Sequence, residues 1–356
     1  MRRQFVYSVQ DFITNVRRSP ETGPTLSKFD ENLRTQWKDR MNSGLFRYRL
    51  GDIPTRIIPG RHGYVAQLNV KRATEKRKPQ EIQNVQQEFN ANKFNFNKVS
   101  PEEIIFEMTK EGDVNEKRQD EPGKMVVLIN VSPLEFGHCL FVPDPSLCFP
   151  QVLTKFAIQS SIESILLSSD PGFRMGFNSL GAFASVNHLH LHGYYLNHEL
   201  QIESKSAQPL LPEKGFHRFP DFPGGFLFYT ESDGVVDISR TICKVTDFLL
   251  DNNVAHNVFL TRGHPPCDQA QNEESHQSRN GVRVVVWPRI PSFGAKEPSA
   301  FNIALCEMAG HLPFKNKTDY EVATEEDVKD IIQGQLFPED ELHTLEQRLI
   351  HHLRHV

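Results

Sequence analysis

The chain is poor in cysteine, with five in 356 residues, at Cys139, Cys148, Cys243, Cys267 and Cys306. They stand singly, which excludes a disulfide framework and a Cys-x-x-Cys metal knuckle and fits a reducing compartment. Nowhere do 18 apolar residues follow one another, so no membrane-spanning helix is expected. The opening Met1-Arg2-Arg3-Gln4-Phe5 lacks the apolar stretch of a signal peptide, and the expected location is the cytosol. A basic excess is missing as well: 40 Lys and Arg against 45 Asp and Glu leave a formal charge of −5. That balance argues against a general nucleic-acid binder, and any anionic ligand must be held by local groups. With 38% hydrophobic residues the chain can bury a large core, in one large domain or two intimate ones.

What is present is histidine in a pattern. Asn187-His188-Leu189-His190-Leu191-His192 places three imidazoles at alternate positions of a segment, Ala182 to Leu196, that reads as a strand. Period two sends His188, His190 and His192 to one face and Leu189 and Leu191 to the other. A neutral imidazole is a competent nucleophile toward phosphorus, and its neighbours can orient it and donate to a phosphoryl group. Phosphoryl or nucleotidyl transfer is the first expectation. A zinc site is the rival reading of alternating histidines, but no Asp, Glu or Cys completes a ligand set at a convincing spacing, and no metal is expected. A solvated, merely histidine-rich strand face is the remaining alternative. Just upstream, Phe173 to Val186 is rich in small and hydroxyl residues, where Asn178, Ser179, Gly181 and Ser185 could cradle a phosphate. A Gly/Ser-rich turn is weak evidence alone; its place before the histidines strengthens it.

Apolar periodicity outlines the rest. A polar arm precedes residue 30, and a helix over Asn32–Met41 leads into short strands around Gly44–Tyr48, Arg56–Gly60 and Tyr64–Asn69. Ile104–Met108 and Met125–Val131 read as a strand pair joined by a charged loop. Leu153–Leu167 is a helix that stops at Asp170-Pro171-Gly172. The style then repeats: a strand over Phe226–Thr230, a helix through Ile238, Ile242, Val245 and Leu249, and strands over Asn257–Arg262 and Val282–Trp287. Between the last two strands, residues 264–281 are low in apolar content and expected to be disordered. Charged helices follow from Glu321. The expected fold class is α+β, an antiparallel sheet with helices packed on it.

Asn130 to Pro143 contains a strand end, a turn over Pro133–Gly137, then Gly137-His138 and a second strand. With His-x-His-x-His, this order resembles the histidine-triad superfamily. The segments Trp37–Tyr48, Gly63–Asn69, Phe94–Lys98, Gly181–Tyr195, Ala255–Asn257 and Ala309–Phe314 resemble, more narrowly, its GDP-hexose phosphorylases. Members of the galactose branch, and the hexose-1-phosphate uridylyltransferases, carry Gln at the third triad position. Here it is His192, which favours the glucose branch.

The resemblance implies a histidine-triad-like sheet in two related halves, residues 31–200 catalytic and 201–356 not. It implies GDP-D-glucose and inorganic phosphate as substrates and no cofactor. The uridylyltransferases are dimers, so a homodimer stays open. By the same resemblance the central histidine, His190, attacks the α-phosphorus and carries GMP, which phosphate then removes as GDP. His188 and His192 would hydrogen-bond the phosphates, and Ser179, Gly181 and Ser185 would stabilise charge on the non-bridging oxygens. Arg174, Arg72 and Lys98 are the candidate cations. The basic run Lys71–Lys78 reads either as a solvated edge or as the mouth of an anion pocket. His138 reads equally well as a structural turn histidine and is given no catalytic role. A hydrolase using water as acceptor, and a guanine-nucleotide-binding module without turnover, remain the competing functions.

Overall fold

The computed structural model describes residues 3–14, 16, 25–77, 79–112, 122–266, 279–293 and 299–355. In chain order the first part contains β1 (Gln4–Tyr7), α1 (Lys28–Asn42), β2 (Thr55–Ile57), β3 (Val65–Leu68), α2 (Val70–Thr74) and β4 (Ile104–Lys110). It continues through β5 (Met125–Ile129), β6 (Cys139–Pro143), α3 (Lys155–Leu167), β7 (Phe173–Asn178) and β8 (Leu191–Tyr195). The second part comprises β9 (Gln208–Leu211), β10 (Phe216–Arg218), β11 (Phe226–Thr230), α4 (Val235–Asp251), β12 (Ala255–Gly263) and β13 (Gly281–Arg289). It ends with β14 (His311–Phe314), α5 (Lys317–Val322), α6 (Glu325–Gln333) and α7 (Glu339–His355).

Eleven strands form one sheet in the order β1-β4-β5-β6-β8-β7-β12-β13-β11-β10-β9, antiparallel throughout except for the β1–β4 pair. The order is a palindrome about the β7–β12 ladder: outward from it run β8, β6, β5, β4 on one side and β13, β11, β10, β9 on the other. In each half the long helix follows the third strand from the centre, α3 after β6 and α4 after β11. Apart from β1, which has no counterpart, the strands on the two sides follow the same order, and the α+β class holds.

Side-chain alternation assigns the faces. Leu191 and Tyr195 of β8, with Phe177, Val258 and Val284, pack on α3 and α4, which lie side by side. Helix α3 is buried over nearly its whole length from Ala157 to Leu167, its serines included, and the Thr154 hydroxyl caps it by accepting from the Ala157 N–H. Helix α4 buries one face, with the apolar stripe Val235, Ile238, Ile242, Val245, Leu249 and the small polar Ser239 and Thr246 beside it. On the opposite face Tyr194, Phe259, Val285 and Trp287 are covered by Val65 and Ala66, by Leu312 and Phe314, and by α6. There β14, β3 and β2 form a second, three-stranded sheet. This lid sheet leaves part of the β4-β5-β6-β8 surface open, and the site lies there.

Three local expectations are corrected. The N-terminal arm is tied down over Gln4–Tyr7, which pair in parallel with Glu107–Lys110 as β1. Gly44–Tyr48 turns instead of forming a strand, with Gly44 at φ +75°. The histidine strand is shorter than Ala182–Leu196, since ladder pairing begins at Leu191. Most of the loop expected to be disordered, residues 267–278, lies outside the described residues.

Candidate active site

Residues 187–190 bend at Asn187 and His188 and have no strand partner, and a single side chain supplies what a neighbouring strand would. The Gln151 amide accepts from the His190 N–H (2.9 Å) and donates to the His190 and Asn178 carbonyls (3.0 Å each), while Leu189 N–H bonds the Phe149 carbonyl. This clamp positions the nucleophile candidate, and nothing in the sequence pattern singled out Gln151.

The imidazole of His190 lies 2.8 Å, through Nδ1, from the His188 carbonyl. A carbonyl only accepts, so Nδ1 carries the proton and Nε2 carries the lone pair. Burial pushes the pKa down to about 4, against a smaller raising effect from that carbonyl. His190 is therefore neutral at physiological pH and faces the cavity with an unprotonated nitrogen. His192 is set by a different route. His138 Nδ1 accepts from the Leu134 backbone N–H (2.8 Å), which leaves the proton on Nε2, and this Nε2 lies 3.0 Å from His192 Nδ1. His138 donates, His192 Nδ1 accepts, and His192 keeps its own proton on Nε2. Burial, reinforced by neighbouring positive groups, holds both rings well below the usual histidine pKa. His138, given no role from the sequence, orients the third histidine of the triad.

His188 departs from its expected role. Its Nδ1 accepts from the Phe96 N–H at 3.0 Å, and the ring packs against Phe89 and Phe96, 1% exposed. It does not line the cavities and supports His190 through its own carbonyl. Lacking a ladder to hold it, residue 188 does not obey the period-two geometry from which a phosphate contact was expected.

Two adjoining cavities of about 130 Å³ each share Arg72, Lys76, Ser185 and His192 in their walls. The first also reaches His190, Arg77, Phe96, Leu128, Leu140 and Glu103; the second reaches Asn178, Phe183, Asn302, Glu307 and Lys315. Of the basic run, Arg72, Lys76 and Arg77 line these cavities, and Lys78 lies outside the described residues. Arg72 is anchored by donating to the Ser132 carbonyl. Lys315 donates to the Ser299 carbonyl at 2.9 Å, and burial lowers the pKa of both Lys315 and Lys76. Glu307 takes the Ala304 and Cys306 N–H groups on one carboxylate oxygen, while burial raises its pKa.

Of the expected phosphate turn, Ser185 lines both cavities and Asn178 the second. Ser179 is not available to a ligand: its hydroxyl accepts from His256 N–H (2.8 Å) and donates to the Leu180 carbonyl, joining β7 to β12. Gly181 serves the turn, at φ +76°, where an added Cβ would also press on Phe293 and Val85. Arg174 is a correction. It is fully buried, donating to Glu203 and to the Gly172, Leu196 and His198 carbonyls, so its charge is spent on internal partners. Lys98 is another, because its ammonium caps the carbonyls of Ala91, Asn92 and Lys93 and does not reach the cavities.

Comparison with known proteins places this site in a family. Residues 28–194 match the model of the GDPGP1-like N-terminal domain and residues 203–355 that of the GDPGP1-like C-terminal domain. The chain is 57% identical to GDP-D-glucose phosphorylase 1 of Danio rerio, over 97% of each chain. It is 44% identical to GDP-D-glucose phosphorylase 1 of Homo sapiens, over 97% of this chain and 91% of that one. It is 31% identical to GDP-L-galactose phosphorylase 2 of Arabidopsis thaliana, over 82% and 68%. Among solved structures, yeast Ap4A phosphorylase Apa2 shares the fold, with a TM-score of 0.59 and 16% identity over 88% of this chain and 98% of that one. With both family models matched and relatives this similar over nearly its whole length, the chain belongs to the GDPGP1-like family.

Proposed function

We propose that this protein is an enzyme that transfers the guanylyl group of GDP-D-glucose to inorganic phosphate, giving GDP and D-glucose 1-phosphate. The observation that carries the mechanism is a buried neutral histidine, His190, whose Nε2 lone pair opens into a cavity walled by cations. Nε2 attacks the α-phosphorus, a P–N bond forms, and the bond to the bridging oxygen breaks. The electron pair leaves on D-glucose 1-phosphate, a phosphate monoester that needs little protonation to depart. The imidazole now bears a positive charge, which the His188 carbonyl stabilises at Nδ1–H. A phosphate oxygen then attacks the same phosphorus, GDP leaves, and the ring returns to neutral.

His192 Nε2–H donates to a non-bridging oxygen, aimed there by His138, with Ser185 beside it. Arg72, Lys76 and Lys315 neutralise the departing and incoming phosphates, which occupy the second cavity in turn. The first half supplies the nucleophile; its counterpart strand in the second half, β13, has no histidine over Gly281–Arg289. The second half instead lends Asn302, Glu307 and Lys315 to the cavity wall. Among the described residues Cys139, Cys148, Cys243 and Cys306 are free thiols, which supports a cytosolic setting. No helix among the described residues is long and apolar enough to cross a membrane.

Incubating the purified protein with GDP-D-glucose, with and without phosphate, tests the reading. GDP and D-glucose 1-phosphate should accumulate only when phosphate is present. GMP released at the same rate without phosphate would make the protein a hydrolase, and binding without turnover would make it a nucleotide-binding module.

Proton occupancy of His190 supplies a second prediction. Only the unprotonated ring attacks, and burial favours that form, so the acid limb of kcat/KM for GDP-D-glucose, which reports the first half-reaction, moves down from the ordinary histidine range toward about 4. The profile should stay flat from pH 8 to about pH 5. A half-loss near pH 6.5 would show that His190 is not the desolvated nucleophile described.

A further inference from the structure

The first cavity has two unlike ends. His190 and His192 close one of them. From His192 the register runs straight across the sheet, His192 opposite Leu140, Leu140 opposite Leu128, and Leu128 opposite Ile104. Three strand spacings amount to about 14 Å. At the far end, next to Ile104, stands Glu103, with Arg77 also in the wall. Between the ends the surface is apolar, from Phe96, Leu128, Leu140 and Val186. A slot of this length, apolar along its sides, with a phosphorus-seeking nitrogen at one end and a carboxylate and guanidinium at the other, matches an extended nucleoside 5′-phosphate.

Both polar groups are held in place. Glu103 closes a capping box in which its Oε1 accepts from the Ser100 N–H at 3.1 Å, and the second carboxylate oxygen takes no hydrogen bond among the described residues. The Arg77 guanidinium lies over the Phe94 ring, 3.4 Å from its centroid. Glu103 is close enough to oppose the burial that lowers the Arg77 pKa. The pair therefore offers a fixed donor beside a fixed acceptor.

We infer that Glu103 and Arg77 are the residues that read guanine, Glu103 accepting from the base N1–H and exocyclic amine and Arg77 donating to O6. The inference rests on the guanylyl-transfer reading and names its base-specificity determinants. The Watson–Crick edge of guanine shows an acceptor followed by donors, which is the complement of guanidinium followed by carboxylate. Adenine shows an amine where O6 would be and a lone pair where N1–H would be, so it meets donor with donor and acceptor with acceptor. Hypoxanthine keeps O6 and N1–H and lacks only the exocyclic amine.

The test measures kcat/KM with phosphate for GDP-, IDP- and ADP-glucose in the wild type, in Glu103→Gln and in Arg77→Met. Gln retains Oε1 for the Ser100 cap and turns an Nε2–H donor toward position 1, where adenine carries a lone pair. Glu103→Gln should lose about 10- to 100-fold on GDP-glucose, mostly in KM, while ADP-glucose is unchanged or improved. The preference for GDP- over IDP-glucose should shrink toward one. Arg77→Met should lose on GDP- and IDP-glucose alike, both of which carry O6, and spare ADP-glucose. A parallel fall on all three substrates in both variants, or no change in either, overturns the inference while the guanylyl-transfer reading stands. Failure of the wild type to turn over GDP-glucose overturns the reading itself, and the inference with it.

Discussion

Replacing His190 with alanine is expected to lower kcat by on the order of 10⁴-fold or more, with the fold intact. No other group among the described residues offers an unprotonated ring nitrogen to the shared cavities in the same way. His192 has its Nδ1 occupied by His138, and His188 has its Nδ1 occupied by the Phe96 N–H. Neither neighbour can take over as nucleophile, so the loss should be nearly complete and not partial. The wild type, mixed with GDP-D-glucose in the absence of phosphate, should release one equivalent of D-glucose 1-phosphate and retain the guanylyl group on the protein. The variant should show neither, as read by intact-protein mass. A variant that still turned over at a tenth of the wild-type rate would remove His190 from the covalent role.

The other large effect is on stability. Glu203→Ala should cost about 3–5 kcal/mol, because it strips the carboxylate from a buried cluster and leaves charge behind. Glu203 is fully buried between Arg174 and Arg279, pairing with both, and Arg174 is itself fully buried. Thr261 also donates to the Glu203 carboxylate, at 3.2 Å. Denaturant unfolding should show the lower midpoint, while the KM for GDP-D-glucose in the surviving folded protein stays within about twofold. A variant of ordinary stability with a strongly raised KM would mean that this cluster belongs to the substrate site after all.

That contrast shows what the sequence can and cannot disclose. The alternation of histidine and leucine named the chemical face, and the leucines do enter the helix-side core. Apolar periodicity located α3, α4 and the central strands to within a few residues. Charge was harder. Arg174 and Lys98 looked like phosphate-binding cations because they sit beside informative motifs. Whether a cation is free depends on partners far along the chain, Glu203 for one, and on local loop carbonyls for the other. Those partners are set by tertiary packing, which has no period. The same limit hid Gln151 and His138. Each acts on a histidine far along the chain, Gln151 on the His190 backbone 39 residues away and His138 on a His192 ring nitrogen 54 residues away. Lys71–Lys78 was legible as a choice between solvent and pocket, and only the placement of α2 against the Ser132 carbonyl decides it.

The palindromic strand order bears on how far the two sides of the sheet can part. Asn178 to Arg174 of β7 pair with Asn257 to Thr261 of β12, so the join between the halves is a ladder in the middle of the sheet and not a hinge. Neither half could be released without baring a central strand, and an unpaired apolar strand invites sticking to other chains. Substitutions in one half are thus judged by their fit to the other. The half without the triad is free to change its chemistry but not the edge that it presents to the other.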